Sequence, residues 1–190
     1  MTVAGLVLAA GAGARFGRPK ADLTVGGVRL VDRAVELLVA GGCEPVVVVS
    51  GAVRLQVDGA AVVHNDDWAS GMGSSLRRGL AAMPADATAA VVLLVDTPWL
   101  GAESVRRVMT AHRAGAELAV ATYGGQRGHP VLLGREHWAD ITATVTGDVG
   151  ARSYLAGRSD VIEVDCTGTG DPTDVDVPTA LHRGQGLRGV

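Results

Sequence analysis

Residues 6–20 read LVLAAGAGARFGRPK, and this stretch decides the fold. An apolar run leads directly into a glycine-rich loop that also carries Arg15, Arg18 and Lys20. Apolar runs of this kind are typical of buried strands, and glycines allow backbone N–H groups to approach a phosphate closely. The stretch therefore predicts a strand whose carboxyl end opens into a phosphate-binding loop.

The sequence beyond this loop alternates between two patterns. Apolar runs rich in β-branched residues occupy residues 3–10, 45–51 and 89–96. Stretches with a helical period occupy residues 31–42, 70–83 and 102–115. Continuous apolar runs suit strands that are covered on both faces, as in a parallel sheet flanked by helices. We therefore expect an α/β fold, with residues 1–190 forming a single doubly wound, Rossmann-like domain around a mostly parallel sheet.

Local signals refine this expectation. The first predicted helix has one apolar side, which the period assigns to Val31, Ala34, Val35, Leu38 and Val39, and Gly41 and Gly42 mark its end. The glycine-containing stretch 124–128 joins two apolar runs and predicts a hairpin. Residues 147–157 predict a short helix with Asp148 as its N-cap, and residues 160–165 predict a return to the sheet.

Composition excludes several classes of protein. A chain of 190 residues with 47% hydrophobic content can bury one sizeable core, and its net charge of −3 lacks the basic excess of nucleic-acid-binding proteins. No apolar stretch approaches the ~18 residues that a membrane span requires. The two cysteines have no metal-binding spacing, which is typical of a reduced, cytoplasmic protein.

The loop does not match two familiar phosphate-binding motifs. Gly17 is followed by Arg18, Pro19 and Lys20 rather than by Lys and a hydroxyl residue, which excludes a Walker loop, and Phe16 breaks the dinucleotide fingerprint. Lys20 is the only lysine among the 17 basic residues, and a lysine is a compact, mobile point charge that arginine does not replace. The alternative to a phosphate site is an ordinary glycine turn with solvated basic residues.

Acidic residues supply a candidate metal site. Asp96 ends the buried run at 89–96 and faces the same edge of the sheet as the glycine loop, where a carboxylate can hold Mg²⁺ against phosphate oxygens. Asp174 and Asp176 flank one valine, so in an extended segment they share a face. The alternatives are a turn-capping role for Asp96 and ordinary loop composition for the later pair.

Six motifs occur in the order seen in one family of enzymes: LAAGAGARFGRPK, NDDWASGMGSSLRRGL, VDTPWL, GHPVLL, GDVGAR and DVDVP. Together they resemble the molybdenum cofactor nucleotidyltransferases, which have a MobA-like NTP transferase domain, and the chain is most similar to the cytidylyltransferase branch. The resemblance implies a fold of the nucleotide-diphospho-sugar transferase type. It also implies Mg²⁺-dependent transfer of CMP from CTP to the terminal phosphate of molybdopterin, with release of pyrophosphate.

The resemblance also implies roles for particular residues. The nucleotide would be bound by Leu8, Ala9, Ala10, Gly11, Gly13, Arg15, Lys20, Ser50, Asn65 and Asp96. Arg15, Lys20 and Asp96 would be catalytic, and Asp96 and Asp176 would hold the metal. The acceptor would be bound by Ser74, Ser75, His129, Pro130 and Asp148. For the two serines, a purely helix-capping role is the alternative.

Base choice and partners follow from the same resemblance. The guanylyltransferase branch typically reads LAGG where this chain reads LAAG, so the methyl group of Ala10 favours CTP over GTP. A molybdoenzyme or its chaperone is the implied transient partner, with no nucleic acid and no membrane. The alternatives are a GTP-using guanylyltransferase, a sugar-phosphate nucleotidyltransferase and a noncatalytic nucleotide-binding accessory protein.

Overall fold

The computed structural model describes residues 2–14 and 16–175, and a seven-stranded sheet forms its centre. The strand order is β5-β4-β1-β6-β8-β7-β9, and β8 runs antiparallel to both of its neighbours while the other strands run parallel to one another. The sheet strands are β1 (Thr2–Leu8), β4 (Val46–Ser50), β5 (Ala61–His64), β6 (Ala87–Leu94), β7 (Leu118–Tyr123), β8 (Gln126–Gly134) and β9 (Val161–Asp165). The short strands β2 (Thr24–Val25) and β3 (Val28–Arg29) pair separately. The prediction of a mostly parallel α/β fold is confirmed.

Helices cover both faces of the sheet. They are α1 (Leu30–Gly41), α2 (Met72–Ala81), α3 (Ala102–Arg113), α4 (Trp138–Thr144) and α5 (Arg152–Leu155). The helices α1 and α3 pack on one face, where Leu38 and Val108 are fully buried. The helices α2 and α4 pack on the other face, where Leu76 and Ile141 are buried. The strands between them are apolar on both sides, as the continuous valine runs predict.

The helix α1 follows its predicted pattern except at one position. Val31, Ala34, Val35 and Leu38 are buried, and the chain leaves the helix at Gly42 with a left-handed φ of 100°. Val39 is 54% exposed, so the prediction that it belongs to the apolar side is wrong. Its position lies at the margin of the apolar stripe, where the rotation of 100° per residue carries it past the sheet.

The second half confirms two predictions and corrects one. Gly124 and Gly125 form the two-residue turn between β7 and β8, and β9 returns to the sheet beside β7. Asp148 is not an N-cap: it lies inside the 3-10 turn Gly147–Val149, and the later helix α5 begins without a side-chain cap. Gly150, with a φ of 51°, separates the turn from the helix and explains why one continuous helix does not form.

The strands β2, β3 and β5 and the helix α4 have no counterpart among the predicted elements. None of the helices in the described ranges is both long and apolar enough to cross a bilayer. That residues 1–190 form one domain stays a prediction.

Candidate active site

Neighbouring parallel strands bring the loops of the site together. The backbone N–H of Ala9 donates to Val49 at 3.0 Å, and that of Val95 donates to Leu8 at 3.2 Å. These bonds extend β1 and β6 just beyond their ends, so the glycine loop and Asp96 emerge at the same edge of the sheet. This is the edge at which ligands bind in doubly wound folds.

The glycine loop closes on itself through its backbone. The carbonyl oxygen of Gly13 accepts hydrogen bonds from the N–H groups of Phe16 and Gly17, at 2.9 and 2.8 Å. Gly13 has a φ of 63°, and a Cβ at this position would overlap the carbonyl group of Arg18. Phe16 is buried in the core beneath the loop and anchors it. Glycine at position 13 is therefore required by the positive φ and by the close approach of the Arg18 carbonyl group.

Lys20 and Asp96 form an ion pair at the centre of the site. Lys20 Nζ donates to Asp96 Oδ2 at 2.9 Å, and the two side chains are only 12% and 21% exposed. The other carboxylate oxygen, Asp96 Oδ1, is buried and accepts no hydrogen bond from the described residues. The carboxylate therefore does not cap the following turn, where Thr97 Oγ1 donates to Leu94 instead. A buried oxygen without a donor fits a cation ligand.

A cavity of about 370 Å³ lies over this pair, and we call it the nucleotide cavity. It is lined by Leu8, Ala10, Gly11, Ala12, Gly13, Ala14, Lys20, Trp68, Ala69, Gly71, Met72, Ser75, Leu94, Val95, Asp96 and Asp148. The structure thus brings together most of the residues that the sequence assigns to nucleotide binding. Ala9 is an exception, because its methyl group is buried in the core layer on the opposite face of the sheet.

Ser50 and Asn65 also do not line the nucleotide cavity. Ser50 is buried, and its hydroxyl group lies 3.1 Å from His64 Nδ1. Asn65 Nδ2 donates to the hydroxyl oxygens of Ser74 and Ser75 at 2.8 and 3.1 Å, while its Oδ1 accepts from the N–H of Asp67. All the polar groups of the Asn65 amide are therefore used inside the protein.

Ser74 and Ser75, the two serines predicted to bind the acceptor, both accept a hydrogen bond from Asn65 but differ in their other contacts. Ser74 Oγ lies 2.8 Å from the carbonyl oxygens of both Asp67 and Gly71, so its hydroxyl hydrogen is directed to the backbone. Ser75 Oγ accepts from Asn65 and lines the nucleotide cavity. No described residue accepts a hydrogen bond from Ser75, which leaves its hydroxyl hydrogen available to a ligand.

A second cavity of about 230 Å³ adjoins the first, and we call it the acceptor cavity. Its floor is apolar and consists of Leu8, Leu76, Val92, Leu94, Val120, Val131 and Leu155. Arg127, His129, Asp148 and Arg152 add polar groups to its lining. Leu8, Met72, Leu94 and Asp148 line both cavities. The sequence-predicted pair His129 and Asp148 therefore belongs to this side, whereas the neighbouring Pro130 is buried in β8.

A close backbone contact joins the start of α2 to the segment that carries Asp148, a residue that lines both cavities. Gly71, the residue before α2, has a φ of 111°, and a Cβ there would collide with the backbone of Gly147. Gly73 packs against Thr146 in the same region. The glycines of the GMG stretch thus let the Asp148 segment approach the start of α2, which is a packing role that the sequence alone did not indicate.

His129 is uncharged at neutral pH. The pKa of its imidazole is lowered to about 4, chiefly by burial; the negative charge of Asp96 opposes this shift, and the positive charge of Arg152 adds to it. The backbone oxygen of His129 accepts a hydrogen bond from the Tyr123 hydroxyl group at 2.8 Å, which fixes this part of β8. The imidazole therefore offers one donor and one acceptor beside the reacting groups.

The last described residues return to Asp96. The N–H of Val175 donates to the backbone oxygen of Asp96 at 2.8 Å, and Asp174 beside it is exposed. The predicted metal ligand Asp176 follows immediately but lies outside the described residues, as does the predicted catalytic residue Arg15. Within residues 2–14 and 16–175, no cluster of three His, Cys, Asp or Glu side chains could hold a metal.

Comparison with protein families gives a match over residues 5–162 to the MobA-like NTP transferase domain. The chain belongs to this family. A curated relative of this MobA-like chain is nicotine blue oxidoreductase of Paenarthrobacter nicotinovorans, which is 37% identical over 95% of both chains. The prediction of a MobA-like NTP transferase domain is therefore confirmed.

Solved structures agree with the MobA-like assignment. Rv0371c of Mycobacterium tuberculosis matches with a TM-score of 0.82 and 27% identity over 97% of both chains, and it has also been solved in complex with manganese. The 2-C-methyl-D-erythritol 4-phosphate cytidylyltransferase of Thermus thermophilus shares the fold, with a TM-score of 0.69 at 20% identity over 95% of this chain and 96% of that one. The family and the fold support a nucleotidyltransferase of the MobA-like type.

Proposed function

We propose that this protein transfers CMP from CTP to the terminal phosphate of molybdopterin and releases pyrophosphate. The observation that carries the proposal is the partly buried Lys20–Asp96 pair beneath one cavity that adjoins a second cavity. A nucleotidyl transfer needs such an arrangement, because two substrates must meet at one phosphorus atom. The shared wall of Leu8, Met72, Leu94 and Asp148 is where they would meet.

In the proposed reaction, an oxygen of the acceptor phosphate attacks the α-phosphorus of CTP in line. A new P–O bond forms, the bond between the α-phosphorus and its bridging oxygen breaks, and the electron pair leaves with pyrophosphate. The backbone of Gly11 and Gly13 holds the phosphates, and Lys20 balances the negative charge that develops on the leaving group. No protein nucleophile is required, so catalysis consists of positioning and charge stabilisation.

A divalent cation is part of the proposal, and Mg²⁺ is the expected ion. Asp96 would hold it through the buried Oδ1, and Asp176, one residue beyond Val175, is the proposed second ligand. When bound, the cation supplies positive charge to the phosphate oxygens of the nucleotide. The manganese complex of Rv0371c supports a divalent cation in this family. Arg15 remains a proposed phosphate ligand from the same loop.

The proposed base preference depends on the position after Ala9. Ala10 is only 5% exposed and lines the nucleotide cavity, so its methyl group narrows the space beside the backbone. Cytosine, the smaller ring, is expected to fit better than guanine. The Ser75 hydroxyl group, which has a hydrogen to donate, is the proposed partner for a polar atom of the nucleotide.

A turnover assay tests the proposal. The full chain is incubated with Mg²⁺, molybdopterin and each of CTP, GTP, ATP and UTP, and pyrophosphate release is measured, with a sugar phosphate as the alternative acceptor. We expect release with molybdopterin and fastest release with CTP. Release only with the sugar phosphate would overturn the acceptor assignment, and nucleotide binding without release under any condition would indicate a noncatalytic accessory protein.

The curated relative favours one second candidate, an oxidoreductase. Nicotine blue oxidoreductase is 37% identical to this chain over nearly its full length, and an apolar floor beside a nucleotide cavity also suits a planar aromatic substrate. Following the absorbance of NADH or NADPH with nicotine blue tests this candidate directly. Cofactor oxidation together with no pyrophosphate release would replace the nucleotidyl-transfer proposal. A cytoplasmic location and contact with a molybdoenzyme or its chaperone stay predictions.

A further inference from the structure

Four polar or charged side chains line the acceptor cavity, and only one of them offers an unneutralised positive charge. Arg127 Nε donates to Glu163 Oε1 at 2.8 Å, and its Nη1 lies 3.3 Å from the Leu155 carbonyl oxygen. Asp148 would repel an anion, and His129 is neutral. Arg152 is exposed, and no carboxylate in the described part of the chain pairs with it.

The position of Arg152 is set by the segment before it. A Cβ at Gly150 would lie 2.9 Å from Met72 Sδ, so the segment packs tightly against a residue that lines both cavities. The charge of Arg152 acts on the His129 imidazole, and the charge of Asp96 acts on the same ring with the opposite sign. Arg152 therefore lies close enough to His129 to act on it, and both residues line the acceptor cavity.

We propose that Arg152 binds the phosphate group of the acceptor. This inference rests on the proposed function, since it takes the second cavity as the acceptor site. An acceptor phosphate must approach a triphosphate of the same sign, and Lys20, which pairs with Asp96, is assigned to the leaving group. A guanidinium group offers two parallel donors to phosphate oxygens and stabilises that approach.

Ligand binding tests this role without turnover. The affinity of the full chain for 6-hydroxymethylpterin phosphate is compared with that for unphosphorylated 6-hydroxymethylpterin, by calorimetry, in wild type, Arg152→Gln, Arg152→Lys and Arg113→Gln. Arg113 is the matched control, because it is exposed on α3, away from both cavities, and its loss changes the net charge equally. We expect wild type to prefer the phosphorylated pterin, and Arg152→Gln to reduce this preference by about 10-fold or more.

Further outcomes decide the proposal. Partial retention of the preference in Arg152→Lys and full retention in Arg113→Gln would support it. An unchanged preference in Arg152→Gln, an equal loss in Arg113→Gln, or the lack of any preference in wild type would overturn it.

Kinetics with molybdopterin separate this inference from the proposed function. If wild type transfers CMP to molybdopterin and Arg152→Gln leaves the acceptor KM unchanged, only the inference fails. If wild type shows the phosphate preference but transfers nothing, the proposed function fails and the role of Arg152 stands. A rise in acceptor KM of about 10-fold, with the CTP KM unchanged, supports both.

Discussion

The two cavities of this protein are built in different ways. The nucleotide cavity is formed by the loops that follow the parallel strands β1 and β6 together with the start of α2. Seven of its sixteen lining residues are glycine or alanine, and they surround one partly buried ion pair. The acceptor cavity contains residues of the antiparallel strand β8 and the segment before α5, and it combines an apolar floor with charged side chains. The first construction is suited to a ligand part common to all nucleotides. The side chains of the acceptor cavity can differ between proteins that use different acceptors.

Because of this difference, variants of the two cavities are expected to have different kinetic effects. Changes in the nucleotide cavity are expected to lower turnover with every acceptor, whereas changes in the acceptor cavity are expected to alter the KM for the acceptor. Variants at Asp96 and Lys20 test the first expectation, and the Arg152 variants test the second.

The largest effect is expected for Asp96→Asn. An amide keeps the size of the side chain but removes the charge that pairs with Lys20 and that would hold the cation, so kcat/KM is expected to fall about 10²-fold or more. Steady-state pyrophosphate release, with and without Mg²⁺, measures it. Asp86→Asn is the control, because this carboxylate is exposed and, within residues 2–14 and 16–175, accepts a side-chain hydrogen bond from Thr2 alone. Turnover of Asp96→Asn within a few-fold of wild type would contradict the metal assignment.

Lys20→Arg is expected to have the next largest effect. The substitution keeps the charge, but a planar guanidinium group must enter a space where the lysine is only 12% exposed. We expect kcat to fall about 50-fold with little change in the melting temperature. Arg113→Lys makes the reverse exchange on an exposed helix and should leave kcat unchanged. Wild-type kinetics for Lys20→Arg would show that turnover does not require a lysine at this position.

Gly13→Ala tests the shape of the loop. The added methyl group would overlap the Arg18 carbonyl, so the loop must move and the KM for CTP is expected to rise about 20-fold. Gly17→Ala is matched to it, since Gly17 also has a positive φ, of 84°, but nothing lies within 4 Å of the new Cβ. Both variants carry the backbone cost of about 1 kcal/mol. Equal CTP affinities for the two would show that the close contact does not matter.

The smallest effect is expected for Ala10→Gly, and it is a change in base preference. Removing the methyl group should shift the ratio of kcat/KM for CTP over GTP by about 10-fold toward GTP. Ala9→Gly removes a methyl group of equal size that faces the opposite core layer, so it should leave this ratio unchanged. A wild type that already favours GTP, or an identical ratio in wild type and Ala10→Gly, would refute this account of specificity.

Much of the nucleotide side could be predicted from sequence, because its features are local. The turn at Gly13 and the position of Asp96 at a strand end follow from motifs of a few residues. Asn65 and Ser50 were predicted as nucleotide contacts, but their polar atoms point to partners inside the protein. Which partner a buried amide uses depends on three-dimensional packing, and a one-dimensional motif does not contain that information.

The acceptor side was less predictable for a related reason. Sequence motifs predict His129 and Asp148 as acceptor-binding residues. The apolar floor, in contrast, is assembled from strands that are distant in sequence. The proposed role of Arg152 depends on the observation that Arg127, the other arginine of the cavity, pairs with Glu163. The misassigned cap at Asp148 shows the same limit, since a glycine at position 150 breaks a segment whose composition favours a helix.

Trp68, on the wall of the nucleotide cavity, has a spectroscopic consequence. Of the three tryptophans, Trp138 is buried with its indole N–H bonded to Leu133, and Trp99 packs against the core layer of α1 and α3. Neither lines the nucleotide cavity, so occupancy by a base should change mainly the emission of Trp68. Intrinsic fluorescence thus offers a label-free titration of nucleotide binding, and its signal should disappear in Trp68→Phe.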